Sequence, residues 1–420
     1  MASQGERLIR RAAEGWARHR ETLLRVAVAL LAVIALAWLT YETYRLVWRP
    51  THIGARAIHR GGIDFAIIRG LTVTWFQGVP IYEEQRTTAT YPPASYALFW
   101  ALLGWLPSGG AKLLWGITAA AALGWLVRLT VRESRAETPS ERALAALIPL
   151  SMYATGATVG NGQFTIHLLA LIAGGLSLLR NPRWTPGRAA LGSVLVLASL
   201  VKPTVSAPFC WIALFASKTV WPAACVAATY AGLTVFAASF QETGLSGLLK
   251  AWLRLGLEAA SAAGESNLQL WLAKAGLESW ALPAALLVLG ALGLWIHRHR
   301  RADLWVLVGV TAVVARLWSY HRWYDDMLLL FPLLALFRVA KEAPAGGLLG
   351  PAAGILFSVT LVSTLAPGGL YLLPASWTTA YTGAQSAVWI AALLFLAAAA
   401  RRSDGGRLPG ACLPGARLAP

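Results

Sequence analysis

Apolar residues in this chain neither alternate nor gather into short stripes. They run in blocks, at roughly 23–47, 111–131, 142–159, 164–180, 219–239, 281–297, 303–319, 326–340, 347–365 and 386–400, with shorter blocks at 94–106, 189–201 and 204–217. A hydrocarbon layer about 30 Å thick is crossed by about 20 helical residues. Backbone inside it must satisfy its own hydrogen bonds, so each block is predicted to be a helix. The expected fold is all-α, a polytopic membrane helix bundle with about twelve transmembrane helices and short helices in the outer loops. It is expected to form one domain over 23-400, between a basic tail at 1-22 and a Gly/Pro-rich, disordered tail at 401-420.

The polar residues between the blocks set the orientation. Arg7, Arg10, Arg11, Arg18, Arg20 and Arg25 precede or open the first block, which places the N-terminus in the cytoplasm. If 94–106 is tilted or re-entrant and does not fully cross, the basic segments around Arg132, Arg183, Lys218, Arg298, Lys341 and Arg401 all fall inside as well. The outer segments are then 48–93, 160–163, 202–203, 240–280, 320–325 and 366–385. The pair 189–217 reads as a shallow hairpin and leaves the parity unchanged. Nothing resembling a small-residue cleavage site follows the first block, so it reads as a spanning anchor and not a signal peptide.

Composition agrees and narrows the picture. The chain is 57% hydrophobic and 13% charged, against about 25% charged in soluble domains, which excludes a soluble globular enzyme. The net charge of +17 fits basic inner loops better than nucleic-acid binding. Twenty tryptophans fit helix ends at the bilayer interface, where the ring is apolar and its N–H stays wet. Cys210, Cys225 and Cys412 form neither a disulfide framework nor a metal motif.

The unusual polar residues all fall outside. They are Asp64, Tyr91 before Pro92-Pro93, Gln163 in Asn161-Gly162-Gln163, Lys202 before Pro203, Asn267 with Gln269, and Arg316 followed by Ser319 to Asp325, which includes His321 and Arg322. Charge at membrane depth is costly and usually faces a cavity or a partner, so six distant clusters on one side suggest one outward-facing polar site. Each also has a structural reading. Asp64 could be solvated in its loop, the Pro-Pro and Asn-Gly-Gln segments could be a helix start and a turn, and Lys202 and Arg316 could reach the interface. His321 could simply pair with Asp325. No HExxH, GxSxG, P-loop or GxGxxG occurs, and no cofactor or metal is expected.

One carboxylate, a few cations and apolar surroundings suit a sugar joined to a polyprenyl phosphate. The prenyl tail needs the bilayer. The phosphate leaves readily once cations neutralise it, and the attacking hydroxyl needs one base. By analogy with inverting glycosidases, a direct displacement assisted by one carboxylate inverts the anomeric centre. Glu83 and Glu84 are less well flanked than Asp64 for that role.

These residues resemble the GT-C superfamily of polytopic glycosyltransferases, and most closely glycosyltransferase family 87, which includes polyprenyl-phosphate-mannose-dependent mannosyltransferases. The resemblance rests on the Asp64 segment, Gly78-Val79-Pro80-Ile81-Tyr82, Tyr91-Pro92-Pro93, Gly162-Gln163, Lys202-Pro203, Asn267 and Trp318 to Asp325, in that order. It implies Asp64 as catalytic base, with Lys202 and His321 around the donor phosphate or sugar. The family's Asn-Gln-Ser reads Asn267-Leu268-Gln269 here, and the doubled Asp325-Asp326 has no counterpart in the pattern. The expected protein is an inverting hexosyltransferase in a bacterial inner membrane, active on the outer face, moving a sugar, with mannose the best guess, from a polyprenyl-phosphate sugar donor to a lipid or glycan acceptor. Lys202 and Arg316 would neutralise phosphate. His321, Gln163, Tyr91, Asn267 and Arg322 would bind or position substrate. The expected partners are those substrates and membrane lipids, with no nucleic acid. A flippase of lipid-linked sugars, a ligase using a pyrophosphate-linked lipid and an inactive scaffold stand as alternatives.

Overall fold

The computed structural model describes residues 4–48, 51–53, 56–58, 61–82, 89–262, 266–344, 347–366 and 374–405. Glu83, Glu84 and the tail beyond residue 405 lie outside the described residues. Helix α1 (Gln4–Val47) carries the basic tail and the first span as one 44-residue rod, so the tail is helical from Gln4. A small antiparallel hairpin follows, with β1 (Thr51–Ile53) against β2 (Arg56–Ile58). The chain continues through α2 (Ile63–Phe76), α3 (Pro93–Phe99), α4 (Ser108–Glu133), α5 (Pro139–Ser151), α6 (Tyr153–Asn161) and α7 (Thr165–Leu179). Next come α8 (Pro186–Ser199), α9 (Pro203–Ser206), α10 (Cys210–Phe215), α11 (Trp221–Ala238), α12 (Leu245–Ala262) and α13 (Leu268–Lys274). The last five are α14 (Ala281–Arg298), α15 (Leu304–Leu317), α16 (Leu330–Glu342), α17 (Leu349–Ser363) and α18 (Ala375–Gly405).

The chain is a polytopic helical membrane protein. Among the described residues, five helices are long and apolar enough to cross a bilayer alone: α1 from His19, α4, α11, α14 with the turn before it, and α18 from Ala380 to Arg401. The pair α5–α6, bent by 41° at Met152, is long and apolar enough only when its two helices are taken together, as a broken span or a re-entrant loop. Pro149 removes a helical donor just before the bend, and the Tyr153 N–H turns to the Thr364 carbonyl at 3.0 Å. Other apolar helices have 10–17 residues, among them α7, α15 and α17. The helices expected from the apolar blocks are thus a mixture of full-length, bent and short ones. The Pro93–Gly104 stretch is one of the short ones. Its 12 residues rise only about 18 Å, less than the hydrocarbon thickness.

The polar segments gather at two ends. At one end Arg20 pairs with Glu141, while Lys341 Nζ lies 3.1 Å from both Glu141 and Glu137. Arg338 bonds Asp303 at 2.9 Å, and the Trp305 indole donates to Glu133 at 2.9 Å. The predicted inner segments therefore meet each other. Glu141 also closes a capping box with Thr138, so the sequence Thr-Pro-Ser-Glu starts α5 and holds the inner network. At the other end the Trp252 indole donates to the Thr90 carbonyl, Gln269 to Trp318, and Trp318 to Thr204. The predicted outer segments meet there.

Tryptophan divides into two populations. Trp48, Trp105, Trp221 and Trp280 are exposed, as interfacial rings would be, but Trp75, Trp115 and Trp389 are fully buried. Trp75 stacks on Tyr96 with ring centres 4.8 Å apart and donates to the Ala237 carbonyl at 2.8 Å. The excess therefore fills the core as well as the interface.

Candidate active site

Two glycines bring Asp64 to its position. Gly62, with φ +86°, precedes α2, and its N–H donates to the Gly160 carbonyl at 3.0 Å. Gly162 ends α6 with φ +71°, and a Cβ there would lie 2.7 Å from the Phe65 Cβ. Only glycine allows both the left-handed backbone and this approach. The first turn of α2 is thereby clamped to the turn between α6 and α7. Asp64 in that first turn accepts a hydrogen bond from the buried Gln163 side chain. Gly162→Ala should lower stability by about 1–3 kcal/mol and reduce turnover, because the clash falls on the residue next to Asp64. Thermal unfolding in detergent, followed beside the transfer rate, checks this.

The second component is a buried ion pair across the bundle. Lys202, between α8 and α9, places Nζ 2.6 and 2.8 Å from the two Asp325 carboxylate oxygens. Asp325 also accepts from Thr165 Oγ1 at 3.0 Å and from His321 Nδ1 at 3.1 Å. A carboxylate only accepts, so Nδ1 of His321 carries the proton and Nε2 presents a lone pair. That Nε2 is buried without a hydrogen-bond partner. Lys202 also sits 4.8 Å from the centre of the Tyr324 ring.

Asp326 points elsewhere. It accepts from the Arg316 guanidinium and the Tyr153 hydroxyl. Arg316 is 1% exposed, donates to the Ser266 carbonyl at 2.9 Å and lies over the Trp389 ring. The doubled aspartate thus serves two cations: Asp325 holds Lys202, and Asp326 holds Arg316. Asn267, fully buried beside Ser266, caps α13 by accepting from the Leu270 N–H at 2.8 Å. Arg316 and Asn267 meet at Ser266 in a network that adjoins the Asp64 cluster, and the Arg316 charge acts on His321.

The remaining predicted residues do join the cluster. Tyr91, Tyr320 and Tyr324 are close enough to Asp64 and Asp325 to feel both charges. Arg322, at the exposed rim, donates from Nε to the Tyr320 hydroxyl at 2.6 Å. Asp64, Tyr91, Gln163, Lys202, His321 and Arg322 are therefore neighbours, although they span more than half the chain. A crevice too narrow for a water molecule begins one residue from Asp64, lined mainly by Phe65, Ile68, Phe99, Leu103 and Phe164, with Arg69 and Thr72 among its walls. Among the described residues, no three His, Cys, Asp or Glu side chains converge as a metal site.

The local electrostatics separate the two carboxylates. Burial raises the Asp64 pKa above the usual carboxylate range, and the Gln163 bond with the Lys202 and Arg322 charges only partly offset it. Burial also works to raise Asp325, but there the Lys202 charge and the His321 bond prevail and hold it below the usual range. Asp64 can thus take up a proton, while Asp325 stays ionised as a structural anion. Burial lowers His321 despite Asp325, so its ring is neutral. The unfolded chain takes up a proton on His321 near the usual value of about 6.5, before the folded chain does. Stability should then fall as pH drops through that value. His321→Gln should flatten the dependence, as measured by thermal unfolding between about pH 5 and 8.

The sequence pointed to His321 with Asp325 as a possible pair, and to Lys202 as a charge needing an explanation. It did not join Lys202 to Asp325 across 123 residues, nor Tyr153 to Asp326 across 173. Tyr153 sits inside an apolar block and carries no local signal. Thr165 was missed for the same reason, whereas Tyr324 fell within the singled-out segment Ser319 to Asp325 and was given no role of its own.

A membrane helix bundle with a buried polar cluster at one end defines a class of membrane-embedded proteins with a polar site. Residues 89–326, more than half of the chain, match the family model of glycosyltransferase family 87, and the chain belongs to that family. Membership makes it a glycosyltransferase, with a sugar donor and an acceptor as its substrates. The polytopic helical fold is consistent with the GT-C superfamily. Asp64 precedes the matched span, whereas Lys202, His321 and both aspartates lie within it. No curated protein and no solved structure matches the chain.

Proposed function

We propose that the protein is an inverting glycosyltransferase that moves a sugar, mannose on our assignment, from a polyprenyl-phosphate donor to a lipid or glycan acceptor. The site faces outward from a bacterial inner membrane. The observation that carries this is the pairing of a half-buried carboxylate of raised pKa, Asp64, with the cations Lys202 and Arg322 and the neutral His321. The Asp64 carboxylate takes the acceptor's hydroxyl proton as the oxygen attacks the anomeric carbon. The bond from that carbon to the phosphate oxygen breaks, and the prenyl phosphate leaves with the electron pair.

Arg322 meets the phosphate at the rim. An anion beside Nε2 of His321 favours the protonated ring, which then bridges the phosphate to Asp325. Lys202 supplies positive potential close by. Tyr91 and Tyr324 offer faces for the sugar, and the Phe65–Phe164 crevice offers apolar surface for the first prenyl units. Arg316, already committed to Asp326, supports this arrangement and does not bind phosphate directly.

A second assignment rests on the unpartnered Nε2. A histidine whose Nδ1–H is held by a carboxylate has the arrangement of a general base. Comparing Asp64→Asn with His321→Gln separates the two, because the true base shows the larger loss in kcat. The test of the function as a whole is to give purified protein in liposomes either polyprenyl-phosphate mannose or a pyrophosphate-linked glycan. Covalent product from the first donor alone supports the proposal. Product from the second alone indicates a ligase, and movement of lipid-linked sugar across the bilayer without product indicates a flippase.

A further inference from the structure

At the end of the bundle opposite Asp64, a cavity of about 500 Å³ lies between the C-terminal ends of α14 and α18, lined by Ala291, Leu294, Trp295, Arg298, His299 and Arg401. Its chemistry is graded along the helix axis. Ala291, Leu294, Trp295 and Arg298 share one face of α14, at i, i+3, i+4 and i+7. Leu294 is exposed on the apolar side, and Arg298 ends that face on the basic side. On α18, exposed Leu394 lies two turns before Arg401 on the same face. Both helices thus present an exposed leucine about 6–10 Å of helix rise before an arginine.

The polar lining awaits an anion. Among the described residues, no carboxylate pairs with Arg298, His299 or Arg401, whereas Arg20, Arg135, Arg338 and Lys341 at the same end each have one. His299 is fixed in place, stacked on Trp295 with ring centres 5.0 Å apart and bonded through Nδ1 to the Trp295 carbonyl at 3.1 Å. The Trp295 indole N–H is buried without an acceptor. Cations at helix C-termini do complement the helix dipole. That accounts for the two arginines, but not for a cavity lined by them or for a buried donor left open.

We infer that this cavity binds the headgroup of an anionic phospholipid of the inner leaflet. The Arg298 and Arg401 guanidiniums hold the phosphate, the Trp295 N–H reaches the glycerol region, and an acyl chain lies along Leu294 and Ala291. Guanidinium forks suit phosphate oxygens, and basic pockets between helices at the cytoplasmic surface are suited to such lipids. A free phosphate would use the basic end and leave the apolar half unexplained. The site is separate from the transfer chemistry, so it stands or falls independently of the proposed reaction.

Native mass spectrometry of the full-length protein, incubated with phosphatidylglycerol, phosphatidylcholine or inorganic phosphate, tests this. Phosphatidylglycerol should be retained in preference to phosphatidylcholine and should survive an excess of phosphate. Retention should fall about tenfold or more in Arg298→Gln/Arg401→Gln and persist in Arg298→Lys/Arg401→Lys. If the double glutamine variant does not fold, each single variant, and the loss of lipid from the wild-type protein with rising salt, give the same reading. Equal retention by the glutamine variants, equal binding of phosphatidylcholine, or displacement by phosphate would overturn the assignment.

Discussion

Asp64→Asn should leave the protein folded and lower kcat by about 10²- to 10⁴-fold, the range that a positioned general base contributes. The substitution is nearly isosteric, and an amide in place of the carboxylate can still bond the Gln163 side chain, so α2 keeps its place against the α6–α7 turn. What is lost is the ability to accept a proton from the attacking hydroxyl. The donor KM should not rise, because removing a negative charge near the donor phosphate relieves repulsion. Burial raises Asp64 above the usual carboxylate range, which makes it a stronger proton acceptor than an exposed aspartate. The acid limb of kcat/KM should therefore lie above that range in the wild-type enzyme. Initial rates with polyprenyl-phosphate mannose in proteoliposomes, taken across pH, measure both.

Lys202→Met should be costly for another reason. It leaves the Asp325 carboxylate, 1% exposed, without its only bidentate cation. Removing one partner of a buried pair typically costs about 3–5 kcal/mol, because the other charge stays buried. Asp325→Asn should be similarly damaging from the opposite side. The double variant Lys202→Met/Asp325→Asn has no unpaired charge and should recover much of the stability. It should not recover activity, because the local positive potential for the leaving phosphate is gone. Thermal unfolding and turnover on the two singles and the double separate the structural role of the pair from its role toward the donor. Recovery of both together would make Lys202 purely structural.

Much of the fold was legible because lipid imposes a strict rule. Apolar blocks must be helices, and scarce basic residues report the side on which each loop lies. The block at 94–106 was read as tilted or re-entrant from the placement of the basic loops, and in the fold it is a helical stretch of 12 residues, Pro93–Gly104. The break at Met152 was hidden, because a tertiary bond from Tyr153 to Thr364 is needed to see why the helix stops. For the site, low charge density made Asp64, Lys202 and His321 conspicuous. Their partners were less so. Asp325 and Asp326 are adjacent, and nothing in the sequence says that they face different cations. Arg316 stood out as an arginine within an apolar block, and nothing in the sequence joined it to Asp326. Asn267 was read as a substrate contact, and its cap on α13 was not foreseen.

The most direct test of the proposed chemistry is the anomeric configuration of the product. Purified wild-type protein in liposomes, given an isotopically labelled polyprenyl-phosphate sugar and its acceptor, should form a glycosidic bond of configuration opposite to that of the donor. NMR of the isolated product reads this directly, because a single displacement assisted by Asp64 inverts the centre. A product that keeps the donor configuration would require a covalent glycosyl-enzyme or a second displacement, and would contradict the role assigned to Asp64.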